Sequence, residues 1–417
     1  MLKELREYDL IGLPRLVRLN PNVPWKTRGN AAVCLPLGRG VGTSDYCGEI
    51  DGIAVQSYRR GTPADPKEVL AVAEAVLERE AEFDCDKTNP GIVCTNRRPS
   101  PRMYWRAVRG IVSLSEAETL LDECGAQWRK YKNGRGIIGA SSSISWRPRD
   151  RTWEVIAYRQ EHRIGTRREI DPLSVVEMDR NTVNTFNNYD YETEHVAIAP
   201  SSPCPVLFGI RGDSLDELLS ARKMIRGEAP SSWLAFLSNQ GTDDHVVDAR
   251  IGGLSAGFSA RVRACVTQPP RTIKGGHVIL RVSDGREIDA AFYEPSGSLR
   301  DIARQLIPGD RIIAHGAVRD DPRSLNVEKL RIVHLAELRQ KTHNPYCPEC
   351  SKRMGSMGAG KGYRCKICGG HTSESAAVTK VVPRTVACRW YEPPVASRRH
   401  LYMPVRRMPG DDINKLL

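Results

Sequence analysis

Residues 277–293 read His277-Val-Ile-Leu-Arg-Val-Ser-Asp284-Gly285-Arg-Glu-Ile-Asp-Ala-Ala-Phe-Tyr293, two apolar, β-branched runs around an Asp-Gly pair. Asp-Gly supplies the left-handed backbone of a tight hairpin, so the stretch predicts two antiparallel strands. Working outward, residues 260–266 form a further strand-like run upstream. Downstream, Ser298 precedes Leu299, Ile302, Ala303 and Leu306 on one helical stripe, with Ser298 as the expected cap. Ile307-Pro308-Gly309-Asp310 then leads into strand-like residues 311–318 and 327–333. Three strands, a helix and two strands in this order predict an OB-fold β-barrel, an architecture that binds oligonucleotides on one face.

The barrel sits in a chain of 417 residues with 40% hydrophobic and 27% charged content and a formal net charge of +12. These values describe a globular protein with room for several domains, and the basic balance favours a polyanionic partner. No apolar run approaches the roughly 18 residues that a membrane helix needs, and the charged N-terminus lacks the apolar centre of a signal peptide. A cytoplasmic protein is the expectation.

Four of the twelve cysteines form Cys347-x-x-Cys350 and, after fourteen residues, Cys365-x-x-Cys368. This spacing predicts a tetrahedral, structural Zn2+ site, a zinc ribbon in which Gly355, Gly358, Gly360 and Gly362 let the intervening chain double back. The remaining cysteines are scattered and read as reduced thiols. Two other motifs fail on context. Gly355 to Lys361 has the glycine spacing of a P-loop, but Gly362 replaces the hydroxyl residue. Residues 253–257 match a nucleophile elbow, but a strand follows where a helix is needed.

Upstream of the barrel, residues 65–83 predict a helix opened by Pro66. Ser115 and Glu118 have capping-box spacing for a second helix, with Ala117, Leu120, Leu121 and Cys124 on one face. Residues 137–144, 153–158 and 206–210 read as strands, and Leu215, Leu218 and Leu219 mark a third helix. Helices alternating with strands predict a ferredoxin-like α+β domain. Within this part, residues 15–30 read Arg-Leu-Val-Arg-Leu-Asn-Pro-Asn-Val-Pro-Trp-Lys-Thr-Arg-Gly-Asn. Pro21 and Pro24 stiffen a loop carrying Lys26, Thr27, Arg28 and Gly29, which suits a polyphosphate or a nucleic-acid backbone, or simply a basic surface loop. Lys132, Gly134, Arg135 and Gly136 either cradle a phosphate, or Gly134 ends a helix in a left-handed turn. Asp190, Asp243 and Asp244 lie in amide-and-carboxylate clusters that hold cations, metals or sugars, or make Asx turns. Arg389, Trp390, Arg398 and Arg399 interleave aromatic and cationic groups, as base stacking on RNA requires, or form a basic tail packed on the ribbon.

The succession PWKTRGN (24–30), NGRGIIGA (133–140), TFNNYD (185–190), PCPVLFGIRG (203–212) and SNQGTDDH (238–245) resembles the archaeal tRNA(Ile) 2-agmatinylcytidine synthetase family. The resemblance implies a multidomain α+β protein: a kinase-like α/β domain over 1–106, a ferredoxin-like domain over 107–245, an OB-fold over 246–336, and a zinc ribbon with basic tail over 337–417. It implies an ATP-dependent ligase that joins agmatine to carbon 2 of the wobble cytidine in the isoleucine tRNA with anticodon CAU, releasing AMP. ATP and Mg2+ are the implied cofactors beside Zn2+. Lys26, Thr27, Arg28, Gly29, Lys132, Gly134, Arg135 and Gly136 are then expected at ATP or phosphate, and Asp190, Asp243 and Asp244 at the agmatine guanidinium. Arg389, Trp390, Arg398 and Arg399 are expected on RNA. The family also carries a Gly-x-Asp-Asp-Thr-Asp loop before the equivalent of Met1, so an upstream start is expected and no catalytic residue is assigned within the chain. The alternative is a non-catalytic RNA-binding protein built on a kinase-like domain that has lost its activity.

Overall fold

The structure, a computed structural model, describes residues 1–25 and 30–409. Asp51 and Gly52 both take positive φ, 51° and 78°, and pair Ile50 with Ile53 across a two-residue turn. That geometry folds β4 (Leu37–Ile50) onto β5 (Ile53–Pro63). Ahead of them come β1 (Asp9–Ile11), β2 (Arg15–Arg18) and β3 (Ala31–Cys34). Asp65 caps α1 (Pro66–Glu80) by accepting from the Lys67 N–H, with Pro66 in the first turn. The expected helix is there, and the hairpin beside it is an addition to what the sequence pattern suggests.

β6 (Gly91–Cys94), α2 (Arg102–Arg109) and α3 (Leu114–Glu123) follow. The α3 capping box uses Ser113 and Glu116, two residues ahead of the expected pair. Both pairs have the right spacing, and Ser113 wins because its box leaves Ala117 and Leu121 fully buried. After β7 (Gln127–Lys130), Gly134 takes φ +76° and opens α4 (Gly136–Ser145). Two expectations are corrected here: residues 137–144 form a helix, not a strand, and Gly134 begins a helix instead of ending one. The reason lies in the serines. The Ser142 and Ser145 hydroxyls donate to the carbonyls of Ile138 and Ser141 four residues back, which lets a polar run be buried as helix.

β8 (Thr152–Tyr158), α5 (Pro172–Asn181), β9 (Thr185–Phe186), the small β10–β11 hairpin (Tyr189–Asp190, His195–Val196), β12 (Val206–Gly212), α6 (Leu215–Met224) and β13 (Ser232–Ser238) complete this half. Strands β1-β5-β4-β13-β8-β12-β9 form one sheet, with β2 and β3 attached beside β13. β13 pairs antiparallel with β4 and β8 and parallel with β2, so strands from residues 1–106 and 107–245 share one continuous layer. Val155, Ala157, Ile210 and Ala235 pack from that sheet with Val175 and Leu218 of α5 and α6. A second core holds Tyr104, Val108, Leu121, Ile137 and Trp146 among α2, α3 and α4. Each valine, leucine or isoleucine side chain among these contributes roughly 1.5–3 kcal/mol on burial.

β14 (Val246–Asp248) leads into the barrel strands β15 (Ser259–Val266), β17 (Val278–Ser283), β18 (Glu287–Phe292), β19 (Arg311–Asp320) and β20 (Arg323–His334), with the short β16 (Arg271–Thr272) on β17. The order β15-β17-β18-β20-β19 closes by β19 pairing with β15. This five-strand barrel follows the expected strand-helix-strand sequence, and the hairpin turns at Asp284-Gly285, with Gly285 at φ +112°. The plug is α7 (Ser298–Arg304), with Leu299 and Ala303 in the core beside Phe292, Leu330 and Ile332. Its cap is Gly297 and makes no side-chain bond, so Ser298 is the first helical residue and not the cap.

β21 (Leu338–His343) pairs with β25 (Val378–Val382), and β22 (Gly355–Ser356) and β23 (Tyr363–Arg364), between the cysteine pairs, form a small sheet with β24 (His371–Thr372), which follows the second pair. β26 (Trp390–Tyr391) then adds to β20 of the barrel. The following segment crosses back to the first half: the Gly241 and Asp243 N–H groups donate to the carbonyls of His400 and Leu401. The basic tail therefore packs on barrel and sheet, not on the ribbon. Among the described residues no helix is long and apolar enough to cross a membrane.

Candidate functional site

β13 ends at Ser238 in the middle of the sheet, and the residues after it are buried although polar: Asn239 and Gln240 are 0% exposed. Such burial is tolerated only with partners, and each has them. The Asn239 Oδ1 accepts from the Arg18 N–H at 2.7 Å while its Nδ2 donates to the Arg18 carbonyl and to the Tyr104 hydroxyl. Tyr104 in turn donates to Asp244 Oδ2 at 2.6 Å. On the other side the Gln240 amide donates to Glu154, which also takes Arg211 Nε at 3.0 Å. The end of β2, helix α2, strand β8 and the loop 238–245 thus converge through one polar network.

Asp243 and Asp244 are neighbours with opposite surroundings. Burial would raise the Asp243 carboxyl, but Lys329 at 2.7 Å and His315 beside it hold it well below the usual carboxylate range. Its Oδ1 also accepts the Met403 N–H. Asp244 makes no ion pair at its carboxylate among the described residues; burial raises it to about 6, against the opposing hydrogen bond from Tyr104. Asp190 lies elsewhere, in an Asx turn. Burial works to raise it, yet the N–H groups of Ala396 and Glu192 outweigh that and lower it.

Lys26, Thr27, Arg28 and Gly29 lie outside the described residues. The base of their loop is tied by Leu19 N–H to Asn30 O and by Asn30 Nδ2 to Asn20 O. Trp25 at its rim meets the second expected phosphate segment: the Arg135 guanidinium sits 4.1 Å above the Trp25 ring. Gly136 begins α4 against Gly91, where a Cβ would fall 2.2 Å from the Gly91 nitrogen. α4 has no side-chain cap, so its first N–H groups are not met by one. Lys132 instead donates to the carbonyls of Phe83 and Cys85.

Of the expected RNA-facing residues, Arg389 lies over the Tyr391 ring at 4.8 Å and Trp390 sits edge-on to His315. Arg398 donates to Asn187 Oδ1, and Arg399 to Asn22 Oδ1 with a second bond to Glu328. Tyr104, Glu154 and Lys329 lie in none of the motifs quoted from the sequence, whereas Asn239 and Gln240 fall within SNQGTDDH without an assigned role. The detectable signal was Glu154, a charge inside the apolar run Trp153 to Tyr158.

Cys347, Cys350, Cys365 and Cys368 bring four Sγ atoms within 4.8 Å of one another. Thiolates about 2.3 Å from a common ion fit that spacing, so the four side chains suit tetrahedral Zn2+. They are the one group of three or more metal-ligating side chains among the described residues, and no carboxylate group of that kind is assembled there for Mg2+.

Three family models match successive stretches of the chain. Residues 1–133 match the TiaS TCKD domain, 134–245 the TiaS FLD domain and 344–386 the TiaS C-terminal zinc ribbon domain. The fold and the cysteine group define a class in which a mixed α+β body carries a five-strand barrel and a zinc ribbon. Within it, the chain belongs to the family of isoleucine-tRNA 2-agmatinylcytidine synthetases, TiaS. It is 38% identical to the TiaS of Methanocaldococcus jannaschii over 95% of this chain and 90% of that protein. It is similar to the crystal structure of a TiaS complex with isoleucine tRNA and ATP, with 33% identity, a TM-score of 0.82, and 98% of this chain and 92% of that one covered. A TiaS complex with isoleucine tRNA, AMPCPP and agmatine gives 31% identity, a TM-score of 0.79 and coverage of 98% and 91%.

Proposed function

We propose that the chain is a cytoplasmic, ATP-dependent ligase that attaches agmatine to carbon 2 of the wobble cytidine in the CAU-anticodon isoleucine tRNA. The observation that carries this is the loop 238–245, which joins a continuous α+β sheet to the barrel and leaves one buried carboxylate, Asp244, without an ion-pair partner among the described residues. In this reading the barrel is an OB-fold and the four thiols hold structural Zn2+. The first sheet divides into a kinase-like part and a ferredoxin-like part.

The cytidine O2 is a poor leaving group. Transfer of the γ-phosphoryl group of ATP to it breaks the bond to ADP and creates a leaving group that the primary amine of agmatine can displace. The C2–N bond forms, the C2–O bond breaks, phosphate departs with the oxygen and the amine proton passes to water. The AMP expected from the family resemblance then requires cleavage of one further phosphoanhydride bond. Arg135, at the turn into α4, and Lys26 and Arg28 neutralise phosphate charge as it develops. Asp244 receives the guanidinium, a charge-assisted contact for which Tyr104 fixes the carboxylate. Mg2+ would accompany the triphosphate, as the family resemblance implies.

The test is transfer of labelled agmatine by the zinc-loaded full chain into an isoleucine tRNA transcript with anticodon CAU. Label should enter only with ATP and not into a transcript with uridine at the wobble position. RNA binding without ATP consumption or label transfer would contradict the reading.

A further inference from the structure

Asn20 and Asn22, on either side of Pro21, are joined to each other and to three distant parts of the fold. The Asn20 Oδ1 accepts the Asn22 N–H at 2.9 Å. Asn20 is 1% exposed, and its amide divides between two units. Its Nδ2 donates at 2.9 Å to the Gly110 carbonyl at the end of α2, and at 2.9 Å to the Gly257 carbonyl just ahead of barrel strand β15. Asn22 reaches further. Its Nδ2 donates to the Ser259 hydroxyl of β15 at 2.9 Å, and its Oδ1 accepts from Arg399 of the C-terminal segment at 2.7 Å. The same residues close the base of the loop that ends at Asn30. The Asn20 carbonyl accepts from Asn30 Nδ2 at 2.8 Å, and the Leu19 N–H donates to the Asn30 carbonyl. A buried amide whose donors are spent on separate units fixes how those units meet.

This seam stands at the base of the loop that carries Lys26, Thr27 and Arg28, the residues read at the triphosphate. Cationic groups stabilise a transferring phosphoryl group only when they are held in place beforehand, and the groups that hold them govern how well they do so. We propose that Asn20 and Asn22 are positioning residues for ATP, which register the base of the phosphate loop against the barrel. Ser259, a barrel residue, thereby helps to set the nucleotide geometry. The effect runs through the loop base and not through contact with the nucleotide. The inference rests on the reading of the chain as an ATP-dependent tRNA ligase and adds to it a mechanical link between the phosphate loop and the barrel.

The experiment is steady-state agmatine transfer into the CAU isoleucine transcript by the zinc-loaded full chain, with ATP and agmatine varied separately. Asn22→Ala and Ser259→Ala cut the seam from opposite sides and leave the buried Asn20 in place. Each should raise the KM for ATP about fivefold, the scale of one hydrogen bond, with the KM for agmatine unchanged. The double variant should be no worse than Asn22→Ala, since both changes remove the same contact. Asn22→Asp, whose carboxylate can accept from both Ser259 and Arg399, should recover much of the loss. A seam that merely held the fold together would lower kcat, or the fraction of active protein, and leave the KM for ATP at the wild-type value. That result, or additive effects of the two alanine changes, overturns the positioning role while the enzymatic reading stands. If wild type transfers no agmatine, the enzymatic reading falls and the positioning role falls with it.

Discussion

Burial raises the Asp244 carboxyl from 3.8 to about 6, and the sign of that shift sets its effect on stability. Between those values the unfolded chain has released the proton and the folded chain retains it. Stability therefore falls as pH rises through that window, by no more than roughly 3 kcal/mol at about 1.36 per pH unit. Asp244→Asn keeps the Tyr104 hydrogen bond without the charge. Denaturant unfolding should show the variant gaining on wild type from pH 4 to pH 8, and a constant difference between them would contradict the account. A carboxylate kept ionised at neutral pH against its own burial is what a site for a cationic substrate would hold. Asp243, one residue earlier, is spent on Lys329. The sequence could propose both aspartates but could not separate them, because the difference is made by Lys329, 86 residues away.

At the scale of elements, β20 fixes the loop 238–245 through Lys329, which is 1% exposed and reaches both Asp243 and the Met403 carbonyl. Lys329→Met strands Asp243 as an uncompensated buried charge and should cost about 3–5 kcal/mol. Lys329→Met with Asp243→Asn should cost much less than the sum of the single changes, whereas additive costs in the unfolding cycle would show that the pair is not coupled. The barrel strands and the cysteine pairs were legible because local signals agree with the fold: Asp284-Gly285 for the turn, β-branched alternation for the strands, and fixed spacing for the thiols. The helix α4 was not legible, since the apolar start of residues 137–144 suits a buried strand equally well. Its serine back-bonds appear only once the backbone is helical. The β4–β5 hairpin had its Asp51-Gly52 signal in plain view but ran through polar, glycine-containing strands that hide the alternation.

Across the whole molecule, the C-terminal segment works as a strap. Arg407 bonds Asp213 and Asp150 of the sheet body, Arg399 bridges Asn22 to Glu328 of the barrel, and β26 extends the barrel sheet. Contacts spanning up to 377 residues leave no periodic trace in a sequence, which is why the tail reads equally well as a segment that stacks on RNA bases or as a basic tail packed on the ribbon. The strap ties the barrel to the loop 238–245, and in the proposed function RNA gripped on the barrel is thereby presented to that loop. Chemistry and grip are thereby assigned to different parts of the chain. The measurement that tests this division most directly is steady-state agmatine transfer by Asp244→Asn, with agmatine and tRNA varied separately. The account predicts a KM for agmatine raised at least about tenfold, the scale of one lost charge-assisted contact, and a KM for tRNA left where it was. An unchanged agmatine KM, or a rise confined to tRNA, would contradict it.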